Sequence, residues 1–218
     1  MKKVVTLLTS FIFTVGFLFA QELSVKYEIN MKSDDYDVQT QLGVMQGSTL
    51  QIFLKGNKSR TEMNMGGLMK TTTIFNEEQN KGVLIMDGMF GKQAATFDDK
   101  KNQETDSLDL DIEWIDESKD ILGYTCKKAV ISTEENTELI YWYTEEIDPK
   151  ANSLNNYVKK EIPGFVLKFS VHQPQMSMTF TATEIQEKVK ETKGMFDVTI
   201  PEGYTEKSFK EIQEMTGQ

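Results

Sequence analysis

The stretch FVLKFSVHQPQMSMTFTA, residues 165–182, is the clearest sign of the fold class of this 218-residue chain. Apolar side chains occupy alternate positions on both sides of its proline. They are Phe165, Leu167, Phe169 and Val171 before Pro174, and Met176, Met178, Phe180 and Ala182 after it. A period of two is typical of a β-strand with one buried and one solvated face. Because residues 173–175, QPQ, form a turn sequence, the stretch predicts an antiparallel hairpin.

The same alternation continues toward the N-terminus and predicts further strands. One of them runs through Val25, Tyr27, Ile29 and Met31. The other predicted strands lie at residues 50–55, 59–65, 69–75, 82–87, 93–97, 112–115, 124–132 and 138–144. Several of the short connections between them contain Gly or Asn, the residues that tolerate a positive φ. We therefore predict a mainly β protein built as an antiparallel meander.

Residues 138–144, ELIYWYT, indicate that the sheet is curved. Leu139, Tyr141 and Tyr143 share one face of this strand, and Ile140 and Trp142 share the other. A strand that is apolar on both faces needs cover on both sides. In a curled sheet, one side of this strand meets the concave interior and the other meets a helix or loop.

Helices are expected to be few and short. The candidates are residues 34–46, 152–160 and 204–215, of which the last has the clearest amphipathic spacing. Thr205, Ser208 and Glu211 offer capping chemistry at its start. The acidic residues 103–117 are interpreted as a loop that leads into the strand at 112–115.

Residues 1–20 have the layout of a cleaved secretory signal peptide. Lys2 and Lys3 precede an apolar run that ends at the small residue Ala20. That run has about 16 residues, fewer than the ~20 that span a bilayer. We therefore expect residues 21–218 to form a single domain that is periplasmic or secreted. No Cys directly follows the cleavage point and no later stretch is long and apolar enough to cross a membrane, so no lipid anchor or transmembrane segment is expected.

The composition argues against several classes of function. A formal net charge of −10 repels nucleic acid. His172 is the only histidine and Cys126 the only cysteine, so the chain has no three-histidine metal site and no internal disulfide. We expect His172 to be solvated and Cys126 to be packed in the core. The chain is therefore predicted to be no enzyme and to need no cofactor.

Methionine is the one unusual residue in the composition, with 12 in the chain. Met63 and Met65, like Met176 and Met178, are spaced so that each pair shares one face of a strand. Three interpretations remain open: ordinary core packing, an adaptable apolar groove for a flexible ligand, and a soft thioether site for copper formed by the methionine pairs, with His172 as a further candidate ligand.

Five segments resemble exported bacterial proteins of the GLPGLI family and its relatives of unknown function. In chain order they are GNKSR at 56–60, ILGYTCKKA at 121–129, YWYTEEI at 141–147, EIPGFVL at 161–167 and FDVTIPEGY at 196–204. Ile162 and Phe165 replace Leu in the segment that names the family. The resemblance implies the half-barrel fold of the periplasmic lipoprotein carrier LolA, and it transfers no catalytic residue.

The expected function is the binding of a lipid, an acyl chain or another apolar ligand inside the half-barrel. The alternatives are a ligand-free interaction protein of the cell envelope and the copper site. The partner is accordingly an apolar ligand or an envelope protein. The candidate cavity residues are Met63, Met65, Tyr141, Trp142, Tyr143, Phe165, Phe169, Met178 and Phe180.

Overall fold

The structure is a computed structural model that describes residues 22–89, 91–98, 111–132, 137–147 and 162–216. The predicted signal peptide, the predicted helix at 152–160 and most of the acidic loop lie outside the described residues. Within the described segments, no helix has the length and hydropathy required to cross a membrane.

The described strands form one twelve-stranded sheet. In chain order they are β1 Glu22–Lys32, β2 Thr49–Lys55, β3 Lys58–Met65, β4 Met69–Asn76, β5 Lys81–Gly88, β6 Gln93–Phe97, β7 Ile112–Ile121, β8 Tyr124–Ser132, β9 Glu138–Thr144, β10 Phe165–Gln173, β11 Met176–Gln186 and β12 Thr205–Glu206. Their spatial order is β12-β6-β5-β4-β3-β2-β1-β11-β10-β9-β8-β7. Among the described strands, only the two-residue pairing of β12 with β6 is parallel. The prediction of a mainly β fold with a curved, open antiparallel sheet is confirmed.

The predicted hairpin at residues 165–182 is present. Gln173 pairs with Met176 around the turn, and Phe169 pairs with Phe180. Strand β7 is longer than predicted and includes acidic residues that the sequence pattern assigns to a loop, such as Asp116 and Glu117. Acidic side chains are compatible with a strand here because β7 lies at the edge of the sheet.

Two short α-helices flank the sheet within the residues that the structure describes. Helix α1, Tyr36–Leu42, begins after Asp35, whose carboxylate accepts hydrogen bonds from the backbone N–H groups of Asp37 and Val38. It continues into the 3₁₀ turn Gly43–Met45, so both elements lie within the predicted helix at 34–46.

Helix α2, Phe209–Thr216, begins later than the predicted residue 204. Thr205 and Glu206 instead pair with the edge strand β6, where the Thr205 N–H donates to the Lys92 carbonyl at 3.0 Å. The helix starts after Ser208. The Glu211 carboxylate accepts from the Ser208 N–H at 2.8 Å, and the Glu211 N–H donates to the Ser208 hydroxyl at 3.2 Å. This reciprocal pair is a capping box, which explains where the helix starts.

Both faces of the sheet are covered at the β4–β6 end. On one face, Ile212 of α2 packs with Met86 and Ala95. On the other face, Val189 and Phe196 pack with apolar residues of β4 and β5. Both belong to residues 187–204, which we call the C-terminal strap. The strap is attached by the Lys55 ammonium, which lies 3.3 Å from the Glu22 carboxylate and 2.7 Å from that of Glu191.

The hairpin between β7 and β8 turns through Leu122 and Gly123, which both have positive φ, at 57° and 87°. Two positive φ values define a type I′ turn, for which Asn-Gly is the favoured sequence. Leu122 is 44% exposed, so little burial compensates for its backbone strain. The position therefore suits Asn better than Leu.

Replacing Leu122 by Asn is expected to raise the free energy of unfolding by roughly 0.5–1 kcal/mol, because Asn tolerates positive φ. Urea denaturation followed by circular dichroism measures the change. The matched variant Leu122→Val should lose stability, since a β-branched residue is strained further at this φ. A Leu122→Val variant as stable as Leu122→Asn would contradict this account of the turn.

Candidate functional site: two apolar rows across six strands

Cross-strand register aligns apolar residues into two rows on one face of the sheet. The rows cross six neighbouring strands in the order β1, β11, β10, β9, β8 and β7. The first row consists of Met31, Met178, Val171, Leu139, Ile131 and Ile112. The second row consists of Ile29, Phe180, Phe169, Tyr141, Ala129 and Trp114. We call these sets the two apolar rows.

The opposite face of the same strands is largely polar. One line of paired residues there consists of Lys32, Ser177, His172, Glu138 and Ser132. In the next line the Ser170 and Thr179 hydroxyls lie 3.0 Å apart and share a hydrogen bond. Farther along that second line Ser170 pairs with Ile140 and Ile140 with Val130, so this face is polar in β1 and β11 and mixed in β9 and β8.

The two rows differ in exposure. In the second row the Phe169 ring stacks on Phe180, with centroids 4.0 Å apart, and on Tyr141, with centroids 6.3 Å apart. In the first row every member except Ile131 is only half-buried. At the sheet edge Trp114 is 52% exposed. The second row is therefore a rigid aromatic floor, and the first row leaves apolar surface in contact with water.

Four of the nine predicted cavity residues belong to these rows: Tyr141, Phe169, Met178 and Phe180. Tyr143 lies beside them, since its ring meets the edge of Trp114 at a centroid distance of 5.9 Å. It also shares a buried cluster with Tyr141.

The other four are outside the rows. Phe165 is buried in the main core, which also includes Ile29 and Phe180 of the second row. Met63 and Met65 pack against the same core from β3, and Met63 lies on the face of the rows, because it pairs with Leu50 and Leu50 pairs with Tyr27.

Trp142 lies on the face of β9 opposite to Tyr141, because neighbouring residues of a strand face opposite sides. Its cross-strand partners there are Lys168 and Lys128. The Lys119 ammonium lies 3.6 Å from the centroid of the Trp142 ring, a cation–π contact.

The remaining row members were not among the sequence candidates. They are Ile29, Met31, Ile112, Trp114, Ala129, Ile131, Leu139 and Val171. Each is apolar in a strand that the sequence predicted, so the available signal was the period-two pattern of the strands. That pattern places a residue on a face of its own strand, and only the pairing register aligns the faces of six strands.

The structure separates His172 from the Met176 and Met178 pair of the proposed copper site. His172 pairs with Ser177, so it lies on the face opposite to Met176 and Met178. Among the described residues, no group of three or more His, Cys, Asp or Glu side chains is arranged to hold a metal ion.

Cys126 is buried, as the sequence predicted, and its sulfur lies 3.6 Å from the Tyr124 carbonyl. Burial raises the pKa of the thiol to about 11, although the nearby Lys119 ammonium favours the thiolate. Because the thiolate is the reactive form, both burial and the raised pKa make this cysteine inert in the folded protein.

We expect iodoacetamide to leave Cys126 unmodified in the folded protein at about pH 8, and to modify it fully in denaturant, where the thiol pKa returns to about 8.5. Intact-protein mass spectrometry reads out the modification. Stoichiometric labelling of the folded protein within minutes would contradict the assigned burial.

Comparison with known proteins places the fold. A family model described as "N-glycanase peptide, N-terminal domain" matches residues 90–210, more than half of the chain. PNGF-II, solved in space groups C2 and P21, shares 18% and 16% identity in the two alignments, each with a TM-score of 0.54. These alignments cover 91% of this chain and 33% and 34% of PNGF-II, so this chain spans about a third of that protein.

Two further solved structures are similar. An uncharacterized conserved protein from Thermus thermophilus shares 9% identity, with a TM-score of 0.51 over 87% of this chain and 91% of that chain. The lipoprotein LppX of Mycobacterium tuberculosis shares 7% identity, with a TM-score of 0.38 over 77% and 88%. No curated protein sequence matches this chain. At these identities the similarity to PNGF-II and to the Thermus thermophilus protein shows a common fold alone, and the GLPGLI resemblance stays a prediction.

Proposed function

This chain belongs to the N-glycanase peptide, N-terminal domain family, and we propose that it is a non-catalytic binding module that holds an apolar ligand against the two apolar rows. The proposal rests mainly on the exposure of the first row. Five of its six apolar members stay half-exposed on the floor made by the stacked rings of the second row. A signal peptide at residues 1–20 would deliver such a module to the periplasm or the exterior.

The dimensions of the rows suit an acyl chain. Neighbouring strands lie about 4.8 Å apart, so a row that crosses six strands is roughly 24 Å long. A lipid tail lying across the strands would meet apolar side chains along its length. Each buried CH₂ group contributes about 0.8 kcal/mol, so partial burial of one tail offsets the entropy lost on binding.

Methionine supports a flexible ligand rather than one rigid shape. Met31 and Met178 are neighbours in the first row. The unbranched thioether side chain adapts to different surfaces and is over-used where proteins bind varied apolar partners. We therefore assign the ligand to the class of acyl chains and lipids. The activity of the larger relatives is not part of this proposal.

A second candidate function is a ligand-free interaction protein of the cell envelope. The observation that favours it is Trp114, which is exposed on the edge strand β7 and is a residue type enriched at protein interfaces. A protein partner would then cover the rows in place of a lipid.

The test compares two variants of neighbouring residues whose side chains face opposite sides of β11. Met178→Glu places a charge in the first row, and Ser177→Glu places the same charge on the polar face opposite Lys32 and His172. Uptake of a fluorescent long-chain fatty acid is expected to weaken roughly tenfold or more in Met178→Glu, because burying a carboxylate among apolar groups is costly. Ser177→Glu should bind like the unmodified protein.

Native mass spectrometry of the protein purified from its own periplasm, followed by organic extraction, complements that test. A co-purifying lipid at near one per chain supports the lipid-binding function. A ligand-free mass, together with no uptake of added fatty acid or phospholipid, would remove it and leave the interaction protein as the working hypothesis.

A further inference from the structure

Three lysines surround Trp142 on the face of β9 opposite to the two apolar rows. Lys128 of β8 and Lys168 of β10 are the cross-strand neighbours of Trp142 on its two sides. The Lys119 ammonium of β7 lies 3.6 Å from the centroid of the Trp142 ring, and the Lys128 ammonium lies 5.7 Å from it. We call Lys119, Lys128 and Lys168 the lysine cluster. It shares no residue with the two apolar rows, so it is independent of the site proposed above.

The rest of the chain neutralises this cluster only in part. The Glu117 carboxylate oxygens lie 3.2 and 3.3 Å from the Lys128 ammonium. Among the described residues, no other carboxylate lies within 4.0 Å of any of the three ammonium groups. Glu28 is on the same face, but it pairs with Thr181 and so lies two strands, or about 10 Å, from Lys168. Three cations therefore share one close carboxylate in a chain whose formal net charge is −10.

The lysines of the cluster are half-buried, so water screens their charges less than it would at an open surface. The Lys128 side chain is 21% exposed, and the Trp142 ring packs against the main core. Burial lowers the pKa of the Lys119 ammonium, and the positive charges of Lys168 and Lys128 lower it further. Holding these cations together therefore destabilises the ligand-free fold, and a bound anion would offset the repulsion.

The free hydrogen-bond donors of the cluster suit an anion with two negative charges. Each ammonium has three N–H donors. Lys168 has no ion pair or side-chain hydrogen bond to a described residue, and Lys119 contacts only the ring of Trp142 in this way. Lysine binds phosphate as a point charge. A phosphate monoester carries nearly two negative charges at neutral pH, and its three free oxygens can accept from several ammonium groups at once.

We propose that the lysine cluster binds a phosphate group, held by Lys119, Lys128 and Lys168 beside the Trp142 ring. The phosphate belongs to a small soluble ester or to the head group of a phospholipid, and its chemistry is the same in both. The negative net charge of the chain opposes approach to an anionic bilayer, so we expect the soluble ester.

The test follows the fluorescence of Trp142 in the whole mature protein. The chain has two tryptophans, so the variant Trp114→Phe leaves Trp142 as the only reporter. Glycerol phosphate is the probe, and sodium chloride at equal ionic strength is the blank. We expect a saturable change in Trp142 emission with glycerol phosphate alone, because a bound anion alters the contact between the Lys119 ammonium and the ring.

Lysine variants in the same background show whether the cluster is the site. Lys119→Gln and Lys168→Gln should each weaken the binding of glycerol phosphate roughly tenfold. The control Lys81→Gln removes the same charge from an exposed position on β5 and should bind normally. Without phosphate, Lys168→Gln should unfold at the same temperature as its parent or higher, since it relieves repulsion. The proposal is overturned if the emission does not saturate, if chloride gives the same change, or if both cluster variants keep full affinity.

Vesicles of equal parts phosphatidylcholine and phosphatidic acid distinguish the two sources of phosphate. Glycerol phosphate binding without co-sedimentation of the protein supports a soluble ester. Co-sedimentation that is lost in both Lys119→Gln and Lys168→Gln supports a lipid head group at the same cluster. Fatty-acid uptake should stay normal in these variants, which separates the cluster from the apolar rows.

Discussion

Replacing Gly164 by Ala is expected to lower the free energy of unfolding by about 3–4 kcal/mol, one of the two largest effects of a single substitution in this chain. Gly164 has a φ of 101°, which L side chains rarely adopt. A Cβ at this position would overlap the backbone carbonyl of Thr144 and lie 3.0 Å from the Cα of Glu145. Neither backbone group can yield without disturbing the pairing of Phe165 with Thr144.

The control variant is Gly67→Ala. Gly67 has a φ of 82°, but a Cβ there would meet no atom within 4 Å. Its replacement should therefore cost only the backbone strain of about 1–2 kcal/mol. Chemical denaturation of both variants gives the two values. Equal losses at the two positions would show that the contact with Thr144 is relieved by small shifts, and that our account of this turn is wrong.

Replacing Tyr27 by Ala is expected to cost about 4–6 kcal/mol, enough to unfold a domain of ordinary stability. Tyr27 is 0% exposed in the middle of β1 and belongs to the main core. The variant would leave a cavity the size of an aromatic ring and would also remove a buried hydrogen bond. Thermal denaturation of the soluble fraction, or the loss of soluble protein, measures the effect.

The Tyr27→Phe variant isolates that hydrogen bond. The Tyr27 hydroxyl donates to the Val166 carbonyl at 2.6 Å, where a β-bulge between Val166 and Lys168 interrupts the pairing of β10 with β9. Burial holds the pKa of this phenol well above its usual value, so the group stays a donor. Because the variant leaves a buried carbonyl without its donor, a loss of about 1–3 kcal/mol is expected. A neutral Tyr27→Phe variant would mean that the carbonyl has found another donor.

The strands were the most predictable part of the fold. Alternation of apolar and polar residues follows from the geometry of a single strand, so it can be read without knowledge of the partners. All of the strands predicted between Val25 and Ala182 are present. The strand β12 was missed, because Thr205 and Glu206 pair only through their backbones with the end of β6.

The candidate site was predictable only in part. The sequence correctly separated Tyr141 and Tyr143 from Trp142 by parity, but it could not say which of these faces joins an apolar surface. The bulge after Val166 shifts the register of β10 against β9, and Phe169 consequently packs against both the main core and the Tyr141 cluster. Such a shift depends on one additional residue in the pairing, which the alternation pattern does not mark.

The local properties of this protein could be read from its sequence alone, because they depend on neighbours along the chain. They include the period-two strands and the capping residues Ser208 and Glu211. Which distant residues meet was settled by the tertiary fold. The apolar rows need the register of six strands, and the C-terminal strap is held in part by Arg60, which donates to the Met195 carbonyl 135 positions away. Contacts of that kind arise from packing between distant segments, and no short sequence window contains them.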